Sequence, residues 1–164
     1  MKNKISINSE VSLVEIAISI LIFAVAGAIM LNCFAAAKFT QIKANDKTAA
    51  GNIIQSNAEI IKSFKYSNEM YEYLNNNFQI VIKEDEIIYE NYFDKSWTVC
   101  DELNKEYIVS LKVSDISTNS GELKEIYINV EKAKPYPFIN KEEDNQLIFE
   151  IETKKFFYIH NDRR

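Results

Sequence analysis

The stretch E-V-S-L-V-E-I-A-I-S-I-L-I-F-A-V-A-G-A-I-M-L, Glu10 to Leu31, is apolar almost throughout and yet keeps a carboxylate, Glu15, near its start. At the centre of a bilayer such a charge costs about 3 kcal/mol, and less near an interface. Two readings follow: Glu15 lies at headgroup depth in the first turn of a membrane helix, where the helix dipole favours an anion, or it has a partner. The apolar run continues through residues 16–37, interrupted only by Ser19 and Asn32. At 1.5 Å per residue that is enough to cross a membrane. A cleaved secretory signal is the competing reading, with Ala35-Ala36-Ala37 as the cut site, but such signals have shorter apolar cores.

Beyond the apolar run the helical pattern does not stop. From Lys38 to Tyr66 there is no Pro, and Phe39, Ile42, Ala49, Ile53, Ile60 and Phe64 recur at spacings of three, four and seven, with Asp46 and Asn57 breaking the stripe. The spacing predicts one helix from about Val11 to about Phe64, roughly 80 Å long. Its second half needs a cover, and Ile42, Ile53, Ile60 and Phe64 are the residues expected to pack on it.

The remaining chain supplies strands. Tyr107, Val109, Leu111 and Val113 alternate with polar or outward positions, as do Ile126, Ile128 and Val130, and Ser117-Thr118-Asn119-Ser120-Gly121 between them is turn chemistry. Leu147, Phe149 and Ile151 repeat the alternation, with Phe156 to Ile159 expected to return as a hairpin after Glu152-Thr153-Lys154-Lys155. An α+β fold is expected, with an antiparallel sheet of about four strands over residues 106–160 packed on the amphipathic half of the helix. Glu69 to Asn75 reads as a short helix, and Gln79–Ile82 with Ile87–Tyr92 as a hairpin. The organisation is then a leader-like segment 1–10, an apolar helix half 11–37, an amphipathic half 38–66, a connecting region 67–104 and a sheet region 105–164.

Composition narrows the chemistry. A formal charge of -5 without any basic run argues against nucleic-acid binding, which draws its affinity from clustered Lys and Arg. Cys33 falls in the apolar helix and Cys100 in the polar part, so an intrachain disulfide is not expected. His160 is the sole histidine, and neither it nor Cys100 has a catalytic motif around it. Asn140, Glu142, Asp144 and Asn145 lack the loop-turning Gly of a calcium loop and read as a solvated turn. No catalytic residues, metal site or cofactor are expected.

The leader with Lys2 and Lys4 followed by V-S-L-V-E-I-A-I-S-I-L-I-F-A-V-A resembles the N-terminus of type IV pilins and pseudopilins, whose pattern is Gly, a cut, an apolar residue, Thr or Ser, Leu, an aliphatic residue and Glu. The resemblance covers about 25 residues; the Y-I-V-S-L-K-V and L-K-E-I-Y-I-N-V stretches look like the strand pair of minor pilins. It implies cleavage by a prepilin peptidase between Glu10 and Val11, and a role for Glu15 in subunit assembly, meeting the new amine of a neighbouring subunit in a helix bundle. It also implies a short cytoplasmic N-terminus and an extracytoplasmic C-terminal domain, whereas Lys2 and Lys4 against Lys38, Lys43 and Lys47 give the positive-inside rule a near tie. Implied partners are other pilin or pseudopilin subunits, membrane lipid, the peptidase and assembly-platform proteins. Two departures bear on this. Glu10 stands where the family has Gly, so processing is expected to be poor, and Asn32 stands in place of a helix-loosening Pro, which fits a minor subunit. A single-pass anchored binding domain that never polymerises is the alternative reading.

Overall fold

A computed structural model describes residues 13–83, 85–118, 121–134, 136 and 146–158. Glu10, Val11, Asn140, Glu142, Asp144, Asn145, Ile159 and His160 lie outside the described residues. The chain divides into two compact parts, residues up to Ala44 and residues from Asn45 onward.

Helix α1 spans Leu13–Ser63. With no Pro, and with Ala and Ile its commonest residues, nothing in the sequence stops it. In the first part the helix is exposed on every face: Leu13 is 84% and Phe23 82% exposed. Such an all-round apolar surface demands lipid or other helices.

In the second part, residues 45–63 of α1, α2 (Ser67–Asn77) and five strands enclose one core. The strands are β1 (Gln79–Lys83), β2 (Glu86–Phe93), β3 (Tyr107–Ser117), β4 (Gly121–Lys132) and β5 (Gln146–Tyr158), each antiparallel to its sequence neighbour in the order β1-β2-β3-β4-β5. The fold is therefore α+β, with a five-stranded sheet where about four strands were expected. The Gln79 to Tyr92 hairpin joins the same sheet, because Ile88 to Phe93 pair with Lys112 back to Tyr107.

One expectation is corrected outright. Leu147 to Ile151 and Phe156 to Ile159 were to be two strands of a hairpin, but β5 is a single strand that pairs with β4 from Lys132 to Gly121, with one bulge at Val130/Glu131. The reason is local. Glu152-Thr153-Lys154-Lys155 contains no Gly, Pro, Asn or Asp to turn the chain, and Thr153 and Lys154 lie opposite Ile126 and Glu125 on a partner long enough to keep pairing. Gly121, at the start of β4, faces the other end of this strand. A Cβ there would stand 2.7 Å from the Phe157 carbonyl oxygen and closer still to the Phe156 ring.

Val109, Leu111, Ile126, Ile128, Val130 and Phe157 fill the helix side of the sheet. The helix answers with Asp46, Ala50, Ile54, Ala58 and Ile61, all buried. That line is rotated from the expected stripe: Ile53 and Phe64 pack only partly on the core, Ile60 is half-buried, and Ile42, also half-buried, belongs to the N-terminal part. Small Ala50 and Ala58 let the helix approach, and Ile54 and Ile61 contribute about 2 kcal/mol each by burial.

Two outcomes test this packing. A fragment beginning at Lys38 should unfold cooperatively in urea, whereas one beginning at Lys65 should not, having lost Ile54 and Ile61 from the core. Ile54→Ala should cost about 2–4 kcal/mol in the longer fragment, as buried Ile to Ala changes do.

Candidate functional site

Glu15, the expected assembly residue, lies in the first turn of α1 and is exposed. The turn is closed by the Ser19 hydroxyl, which donates to the Glu15 backbone carbonyl at 2.8 Å. Around it Val14, Ile16, Ile18 and Ile22 are at least half exposed. α1 is long and apolar enough to cross a membrane, a description that a membrane anchor and a signal sequence both meet.

A second feature was misjudged at the level of sequence. Asp46, read as a break in the apolar stripe, is 5% exposed and lies on the buried line of the helix. Its carboxylate is fully engaged. The Tyr107 hydroxyl donates to Oδ1 at 2.9 Å, the Tyr136 hydroxyl donates to Oδ2 at 2.8 Å, and Lys132 Nζ stands 3.9 Å from Oδ2. Lys132 also donates to Glu106 Oε1 at 3.3 Å and lies over the Tyr107 ring, 4.3 Å from its centroid. Lys134 reaches the other oxygen of Glu106. A buried carboxylate is tolerable on these terms, paired and hydrogen-bonded at both oxygens.

The sheet register places these partners. Tyr107 opens β3 and Lys132 closes β4, directly opposite each other, at the end of the alternation that turns Val109, Leu111, Ile128 and Val130 toward the helix. Tyr107 is held in turn from the β2–β3 connection. Asp94 Oδ1 accepts from the Ser96 and Thr98 amides at 2.8 and 3.0 Å, and this tight turn puts Trp97 at φ 60 with its ring stacked on Tyr107, 4.0 Å between centroids. A left-handed tryptophan is strained by about 1 kcal/mol or more, so the stacking has to offset it.

Electrostatics follow the geometry. Burial pushes the Tyr107 and Tyr136 phenols well above the ordinary value, and their bonds to Asp46 push the same way, because an ionised phenol would lose its acceptor. Burial acts to raise Glu106, but Lys134 and Lys132 more than offset it and hold the carboxyl below its usual range. At the far end of β4 a parallel arrangement exists: Lys124, buried on the same side as Lys132, bridges Asp115 at 2.5 Å and Glu122 at 3.2 Å and lies over the Tyr71 ring. Thus Ile126, Ile128 and Val130 are bracketed by two buried lysines.

Asp46 has both oxygens occupied, by the two phenol hydroxyls, with the Lys132 ammonium beside Oδ2. The one signal that would have found it is that Tyr107 and Lys132 continue the inward alternation of β3 and β4 into polar residues, which calls for a polar partner on the helix. Comparison with protein-family models, with curated proteins and with solved structures gives no match.

Asp46→Ala should cost about 3 kcal/mol, the loss expected when two buried hydrogen bonds to a carboxylate and part of an ion pair are removed, and Asp46→Asn about 1 kcal/mol. Denaturant melts of the fragment from Lys38 measure both. Because the native phenols hold their protons to higher pH than unfolded ones, the unfolded chain releases protons first above about pH 10 and stability should fall as pH rises through that range. Tyr107→Phe should flatten this alkaline slope.

Proposed function

We propose that the chain is a minor pilin or pseudopilin, a membrane-anchored structural subunit that co-assembles with homologous subunits in a type IV pilus, secretion-type or competence-type filament. One observation carries the reading: α1 runs without a break from an apolar, wholly exposed segment into the residues that fill the core of the C-terminal part. A removable signal has no need to share a helix with the core of the mature domain. A helix that is half core and half exposed apolar surface suits a subunit whose first half is buried by neighbours.

Glu15 fits the role given by the resemblance. A carboxylate at the end of such a bundle is stable only when paired, so a subunit out of axial register leaves it unpaired and is disfavoured. The Glu10 departure modifies the picture. A copy that keeps residues 1–10 carries Lys2, Lys4 and Glu10 at the end of its apolar helix, and those charges resist burial in a bundle, which places an unprocessed copy at an end of the filament or in the membrane. The C-terminal part lies outside the cell in this reading.

Cysteine cross-linking in membranes tests the proposal, using Ile20→Cys in a chain with Cys33 and Cys100 replaced by Ser. Cross-links to other copies or to homologous subunits are expected, and a lone anchor of a binding domain would give none. Glu15→Ala should leave membrane insertion intact, since it removes a charge from an apolar segment, while co-purification with partner subunits falls; unchanged co-purification would remove Glu15 from assembly. Mass spectrometry of the mature N-terminus should find more chain beginning at Val11 in Glu10→Gly than in the unaltered protein.

A further inference from the structure

The two edges of the sheet differ, and they are complementary. On β1, Ile80 and Ile82 point to the helix side of the sheet, as their pairing with Tyr89 and Ile87 requires, yet among the described residues no helix covers them: Ile80 is 54%, Ile82 72% and Ile87 54% exposed. At the opposite edge β5 runs beside an open groove of about 540 Å³, lined by Gly51, Ile54 and Ala58 of α1 and by Phe149 and Ile151, with polar side chains of α1, Lys47 and Gln55 among them, also lining it. Both features lie on the same side of the sheet. Among the described residues no strand pairs with the outer edge of either β1 or β5.

The geometry points to a head-to-tail contact between copies of this chain, in which β1 of one copy lies along β5 of the next. All neighbours in the sheet are antiparallel, so β1 and β5 run in the same direction. A second copy in the same orientation therefore brings its β1 parallel to β5. Seating its Ile80 beside Phe149 and its Ile82 beside Ile151 puts four apolar side chains at the groove. The same register places Lys83 beside Glu152 on the other side of the sheet, where both are exposed. Lys83 bonds Glu90 at 2.6 Å, which takes one of its three donors and leaves the others for Glu152. Shifting the register by one residue would turn the isoleucines away from the groove, so apolar fit and charge pairing select the same alignment.

The symmetry has a consequence for function. Unlike surfaces joined head to tail make rings or open chains, not closed pairs, and this contact keeps residue 45 of every copy facing the same way. The inference deepens the filament reading and rests on it for that shared direction. It adds a lateral contact formed by the sheet, separate from the helix.

Zero-length carbodiimide coupling of the full-length protein in its membrane tests it, using a mixture of unlabelled and nitrogen-15-labelled copies. A Lys83 to Glu152 amide joining one labelled and one unlabelled peptide is expected, with a ladder of products longer than dimers. Its absence, or products that stop at dimers, would overturn the contact. Ile82→Asp, at an exposed position that leaves the core untouched, should lower the yield about tenfold by setting an unpaired carboxylate against Phe149 and Ile151; an unchanged yield would also overturn it. The Ile20→Cys cross-link, read in parallel membranes, separates the two ideas. If it persists without the amide, only the edge contact is wrong, and if the amide forms without it, the edge contact stands and the helix bundle does not.

Discussion

A carboxylate buried beneath a helix has to be met at both oxygens, and Asp46 is met by a phenol from the start of β3 and by a lysine and a second phenol from the end of β4 and just beyond it. Apolar packing alone is permissive: Ile53 and Ile54, or Ile60 and Ile61, are neighbours that serve a sheet about equally well. The polar contact is not permissive, because a helix turned by one residue would carry Asp46 away from Tyr107 and leave the lysine without it. The cluster thereby selects which of the adjacent isoleucines enters the core. Its partners are themselves held in place, Tyr107 by the stacked Trp97 and Lys132 by Glu106.

This explains what was legible in the sequence and what was not. Long periodic segments declare themselves, so the helix and the alternating β3 and β4 were readable from spacing. The rotation of the helix was not, since Asp46 and Asn57 read only as breaks in an apolar stripe. The phenols that make burial of Asp46 favourable lie 61 and 90 residues away, and no local pattern connects them. The length of β5 was misread for a different reason: four polar residues in a row resemble a turn by composition, and only a long paired partner shows that they are strand.

The two parts of α1 answer to different demands. Residues from Asn45 onward are fixed by their own sheet, while the preceding part is an apolar helix with large side chains exposed. The proposed reading supplies neighbours for this helix and, at the edges of the sheet, for β1 and β5. Buried Lys124 and Lys132, each tied to carboxylates, belong to the self-sufficient part and hold the ends of the inward face of β4 closed.

The meander also dictates an order of events. Every strand pairs with the one made just before it, so the sheet grows by short-range closures, which are fast. The helix is the exception. It is synthesised first, yet its polar clasp waits for Tyr136, and the Lys155 amine reaches the Lys62 carbonyl across 93 residues of chain. Seating of the helix therefore depends on contacts far apart in the chain, and Trp97, stacked against a ring of the clasp, is the one tryptophan whose fluorescence would report it.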